Sequence, residues 1–160
     1  MPKKVTEAQI MTYLQILRES PRRIATVTAG LDESRLEKAP PQEWSLQKIM
    51  AHLRASAEVW STSIYAMLSQ DNPHMDYIHP REWEKKQGYA SLSFADNLAV
   101  FQAERQTLLH TLEPLSFEAW ERTGRIIGKV NTFSVFGETM RMALHERDHW
   151  DQINQTAAVV

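Results

Sequence analysis

The chain contains no cysteine. That excludes disulfides, thiolate metal ligands and a cysteine nucleophile together. Any metal must sit on nitrogen and oxygen ligands, and any thiol chemistry must use a thiol brought in by a cosubstrate. Long apolar runs are missing as well. No stretch approaches the roughly 20 residues that a membrane span needs, and MPKKVTEAQI lacks the apolar segment of a signal peptide. A cytoplasmic protein with no membrane partner is expected. Strong charge of one sign is absent too: the net charge is −2, and the basic runs are limited to the pairs Lys3-Lys4 and Arg22-Arg23. Nucleic-acid binding ordinarily leaves a basic patch in the sequence, so no nucleic-acid partner is expected. What remains is the composition of one globular domain over residues 1–160, with 42% hydrophobic and 24% charged residues and enough chain to bury a substantial core.

The apolar residues recur at helical spacing. Thr6 with Gln9 forms a capping box, and Ile10, Tyr13, Leu14 and Leu17 follow on one face; Pro21 should break or kink this helix and Gly30 should stop it. Ser45 is a natural N-cap for a second helix reaching about Ser69, with Ile49, Leu53, Trp60 and Ile64 in a wide apolar stripe. The segment QDNPHMDYIHPREWEKKQGYAS has two prolines, a glycine and no period, and reads as a long lid-like loop. Ser93 with Asp96 opens a third helix, whose stripe of Leu98, Phe101, the aliphatic stem of Arg105, Leu108, Leu109 and Leu112 ends before Pro114. Ser116 caps a short helix through Trp120. The glycines and β-branched residues of GRIIGKVNTFSVFG mark an extended connection, and a fourth long helix runs from about Val135 to Ala157. Four long helices predict an all-α four-helix bundle with a long loop between helices two and three.

The fourth helix carries LHERDHWDQI, in which His145 and His149 flank the pattern H-E-x-x-H. Six histidines in 160 residues make such a pair common by chance, so spacing alone is weak evidence. Position on the helix strengthens it. At 100° per residue the two rings lie within ~40° of one another at the edge of the apolar arc, with Cβ atoms about 5–6 Å apart, close enough to share an ion. A zinc peptidase would take its third ligand from downstream, where eleven residues follow His149 and none is His or Glu. The peptidase reading fails there. Helix two supplies another candidate, His52, again on the border of an apolar stripe, with the small residues Ser45, Ser56 and Ser63 nearby on the wheel. If the two helices pack side by side, three imidazoles can converge. Imidazole ligands suit zinc, nickel, iron or copper.

The pairing of EWSLQKIMAHLRASAEVW with LHERDHWDQI resembles the DinB-like family, through Trp44-Ser45, His52-Leu53, His145, His149 and Gln152-Ile153 in the family's order. The resemblance covers essentially the whole chain. It implies a four-helix bundle of the DinB/YfiT type holding one divalent ion, zinc or nickel in most members, through His52, His145 and His149. It also implies a small-molecule substrate, with transfer of low-molecular-weight thiols or hydrolysis as the reaction. The rival expectation is a non-catalytic dimeric binding or stress-response bundle, in which the histidines hold a structural ion or none. A homodimer is expected in either case, because long amphipathic helices with leftover apolar surface often pair.

Other polar residues carry two readings each. Glu146 falls inside the apolar arc of the fourth helix, where an unpaired carboxylate would cost several kcal/mol. It either supports a metal-bound histidine ring through a hydrogen bond or pairs with an arginine such as Arg105. Arg141 and Asp148 lie on the other flank of the histidine line, either as a solvated pair or beside an open metal position. His74 and His79 in the loop read as solvated or at the mouth of the site, and His110 as a cation at a helix C-terminus.

Overall fold

Side-chain caps start every long helix. In the computed structural model, which describes residues 4–160 and so leaves Lys3 of the first basic pair outside, Thr6 and Gln9 form the reciprocal box that opens α1 (Glu7–Thr28). A short α2 (Glu33–Glu37), capped by Asp32, was not foreseen. Ser45 Oγ accepts from the Lys48 backbone N–H and opens α3 (Leu46–Ser69). Ser93 and Ser134 do the same for α5 (Phe94–Leu112) and α7 (Val135–Val159), and Ser116 for the short α6 (Phe117–Trp120). The four long helices form a closed bundle. α7 packs chiefly against α1 and α3, and α5 closes the far side against the same two. Leu17, Ile49, Leu53, Ile64, Phe101, Leu108, Met142 and Ile153 fill the space between them.

Pro21 does not break α1, which runs through it. A proline has no N–H, so the carbonyl four residues earlier, that of Leu17, loses its helical partner. The Arg105 Nη1 supplies a donor to that oxygen at 2.9 Å. The same guanidinium grips the Glu146 carboxylate with Nη1 at 2.8 Å and Nη2 at 2.5 Å, and both side chains are almost fully buried. One arginine of α5 therefore ties a carbonyl of α1 to a carboxylate of α7. The stripe that placed only the stem of Arg105 in the core was incomplete, since its charged end is buried as well.

The expected lid-like loop is mostly ordered structure. It holds β1 (His74–Met75), α4 (Pro80–Gln87) and a 3₁₀ turn at Tyr89–Ser91. α4 begins with Pro80 at its first position and ends at Gly88, whose φ of 72° is the left-handed conformation that glycine adopts freely. Trp83 and Tyr89 pack on Ala51 and Ala55 of α3, where small side chains let the segment approach closely. Its polar anchor is Glu58, whose carboxylate accepts from Trp83 Nε1 at 2.8 Å, Tyr89 Oη at 2.6 Å and Arg54 Nε at 3.0 Å. The expected extended connection is a hairpin of β2 (Thr123–Ile126) and β3 (Thr132–Ser134), and β1 joins it in parallel to make a small sheet ordered β1-β2-β3. Gly124 is required there: a Cβ would come within 2.9 Å of Met67 Cγ and 2.8 Å of Met75 Cε. No helix among the described residues is long and apolar enough to cross a membrane.

Candidate metal centre

Packing of α3 against α7 brings His52, His145 and His149 together. His52 Nε2 lies 2.9 Å from His145 Nε2, which lies 3.2 Å from His149 Nε2. Three donors about 2.0–2.1 Å from one ion must stand roughly 2.9–3.4 Å apart in an octahedral or tetrahedral arrangement, and both distances fall in that range. The residues present fit a divalent ion. Among the described residues this is the one group of three or more His, Cys, Asp or Glu side chains so placed, and it includes no fourth member.

The surroundings hold the rings in the form a metal needs. Burial first, then the neighbouring imidazoles of His145 and His149 and the cations Arg81 and Lys48, push His52 down to about 3. Burial and His149 push His145 down to about 4, against a small opposing effect of Asp148. Both rings are therefore neutral near pH 7, and a neutral ring has a lone pair to give. Gln152 sets the third. Its Oε1 lies 2.6 Å from His149 Nδ1, so Nδ1–H donates to it and Nε2 is the nitrogen turned toward the other two. Two tryptophans fix the ring planes by edge contacts, Trp44 at 5.3 Å from His52 and Trp60 at 4.9 Å from His145. Four buried polar atoms of this neighbourhood have no protein partner: Nδ1 of His52, Nδ1 of His145, Ser56 Oγ and Trp60 Nε1. Buried polar groups are rarely left unpaired, so their concentration beside the cluster marks a place built for polar company.

Several expectations change. Glu146 does not support a histidine ring: both of its oxygens go to Arg105, the alternative partner, on the core side of α7. Arg141 turns to Glu138 at 3.7 Å rather than to Asp148. Of the three serines, Ser45 is a cap, while Ser56 and Ser63 are buried. His74 is exposed on β1, His110 lies in the last turn of α5, and His79 caps α4 by accepting the Arg81 N–H on Nδ1 at 3.2 Å. None of these three joins the cluster. Helical spacing could not reveal the part played by Trp60, because an aromatic in a core stripe looks the same whether or not it leans on one of these histidines, and Trp44 lies before the cap of α3, outside any stripe. Gln152 was within reach, three residues beyond His149 on the same face.

A family model described as the DinB superfamily matches residues 16–153. No curated protein matches the chain. Among solved structures, YfiT from Bacillus subtilis, described as "a probable metal-dependent hydrolase with an unusual four-helix bundle topology", superposes with a TM-score of 0.83 over 99% of this chain and 91% of that one, at 15% identity. A likeness at that identity is one of fold.

Proposed function

We propose that this chain, which belongs to the DinB superfamily, is a metal-dependent enzyme acting on a small molecule, with His52, His145 and His149 as the ligands of zinc or nickel. The observation that carries the reading is the incompleteness of the donor set: three convergent imidazoles and, among the described residues, no fourth His, Cys, Asp or Glu beside them. A structural site closes its coordination shell with protein atoms, whereas a catalytic one keeps a position open. When bound there, a divalent ion supplies Lewis acidity, which polarises an oxygen or lowers the pKa of a water or thiol toward neutrality.

The chain's own residues account for the rest. Gln152 accepts the His149 Nδ1 proton, and Trp44 and Trp60 brace the rings of His52 and His145 edge-on. Ser56 Oγ and Trp60 Nε1, buried and unpartnered, are donors for an oxygen of the substrate. Without cysteine the protein cannot carry a thiol-derived group itself. Thiol transfer would then proceed with both substrates bound together rather than through a covalent enzyme intermediate. Hydrolysis, the chemistry attributed to YfiT, would use the same site with water in place of the thiol.

The test is a substrate panel on untagged, metal-loaded protein: small thiols with an electrophile, and separately esters and amides. Turnover should vanish on chelation, return on adding the metal, and be missing in His145→Ala. A fully loaded protein that turns over nothing in either panel would contradict the enzyme reading and leave the ion a structural part of the bundle.

A further inference from the structure

Trp44, whose ring meets that of His52 edge-on, also lines a cavity of about 630 Å³ together with Lys48, Arg81, Glu84, Lys85 and the 3₁₀ turn. We infer that this cavity is a subsite for the anionic end of a small organic substrate: a carboxylate or phosphate held by Arg81, Lys85 and Lys48, with the apolar body of the molecule on the Trp44 ring. The inference rests on the histidines being the reacting centre, and it adds which kind of molecule reaches them.

Charge is the first argument. Three cations and one carboxylate line the cavity, an excess of positive charge in a chain whose net charge is −2. Buried Glu84 pairs with Lys48 through Oε2, its Oε1 having no protein partner, which leaves Arg81 and Lys85 as the excess cations. Among the described residues Arg81 and Lys85 form no ion pair, and both are exposed at the rim. Placement is the second. The Trp44 ring is 5.3 Å from the His52 ring, while Lys48 Nζ lies 5.3 Å and Arg81 Cζ 5.9 Å from the Trp44 centroid. The indole is a shared wall, and a molecule lying along it can meet the cations at one end and the histidines at the other. Rigidity is the third. Gln47 of α3 donates to the Leu92 carbonyl at 2.6 Å, His79 and Gly88 fix the two ends of α4, and Glu84 fixes Lys48. A site whose walls are already in place loses little ordering entropy on binding, and its volume is ordinary for a small-molecule site.

Phenyl phosphate and phenylacetate, with 2-phenylethanol as the uncharged control, are titrated by calorimetry into metal-free protein. At least one anion should bind at one site per chain, at least tenfold tighter than the alcohol, and more weakly as salt is raised. Whichever anion binds tighter identifies the group recognised. Arg81→Ala/Lys85→Ala should weaken the anion about tenfold or more, Arg81→Lys should recover part of the loss, and Lys129→Ala, on the distant hairpin, should change nothing. Equal binding of the alcohol, or unchanged affinity in the double variant, overturns the inference. The link to the histidines is read separately: in protein loaded with Co²⁺, the phenyl protons of the bound anion should be relaxed by the ion. Anion binding without relaxation in loaded protein would also overturn it. Failure to take up Co²⁺ at all would count against the metal reading, and the metal-free titration would still decide the subsite.

Discussion

Glu146→Ala isolates what the buried ion pair does. The substitution leaves the Arg105 guanidinium, 3% exposed, with the Leu17 carbonyl and Met142 Sδ as its remaining hydrogen-bond partners and no countercharge. Breaking a buried pair from one side costs about 3–5 kcal/mol, because the surviving charge stays desolvated. With a urea m-value of about 2 kcal/mol/M for a chain of this size, the unfolding midpoint should fall by about 1.5–2.5 M. Glu146→Gln should be nearly as costly. The amide keeps one oxygen for one guanidinium nitrogen, but its NH₂ faces the other, so donor meets donor. Arg105→Met/Glu146→Leu should recover much of the loss, short of the ~1–3 kcal/mol due to the Leu17 carbonyl, which Pro21 leaves without a helical donor. Zinc affinity, measured on the same proteins by competition with a chromophoric chelator, should stay within about twofold of wild type. Loss of metal affinity in Glu146→Gln at unchanged stability would refute this reasoning and return Glu146 to the metal centre.

Gln152→Ala removes the acceptor that fixes the His149 tautomer, and zinc affinity should fall roughly 10–100-fold with little change in unfolding midpoint; equal affinity in chelator competition would mean that the ring needs no such support. Glu104 should give the fold a pH dependence. Burial, then the hydrogen bond and charge of Glu58, push its carboxyl up to about 8, while Glu58 is raised by burial but held below its ordinary value by the hydrogen bonds of Tyr89, Trp83, Glu104 and Arg54 together. An acid raised on folding favours the protonated native state, so its contribution is full below about 4.5, declines as pH rises and is gone above about 8. Urea midpoints across that window should decline less steeply with pH in Glu104→Gln than in wild type, and parallel declines would show that Glu104 does not hold the proton.

The four long helices were legible because each has a Ser or Thr cap and an apolar stripe with the period of a helix, signals that need nothing beyond a dozen neighbouring residues. The histidine cluster was legible for a related reason. His52, His145 and His149 each lie on the border of a stripe, so packing two stripes together necessarily brings their borders together. Pro21 misled because its cost depends on whether a donor arrives from elsewhere, and that donor, Arg105, lies on another helix. The same arginine decided Glu146, for which local spacing left two partners open. The segment from Gln70 to Ser91 hid its order because α4 is a charged eight-residue helix with little apolar periodicity of its own. It is held by Glu58, Ala51 and Ala55 of α3, and β1 exists only by pairing with a strand fifty residues away. Contacts of that kind leave no local mark in a sequence.

The central claim is that three imidazoles from two helices hold one ion, and metal analysis of untagged protein tests it most directly. Wild-type protein incubated with zinc or nickel and freed of unbound metal should carry close to one ion per chain. His52→Ala, which leaves the α7 pair intact, should lose most of it while keeping its helical circular dichroism. Wild-type metal content in that variant, or none in the wild type itself, would contradict the account.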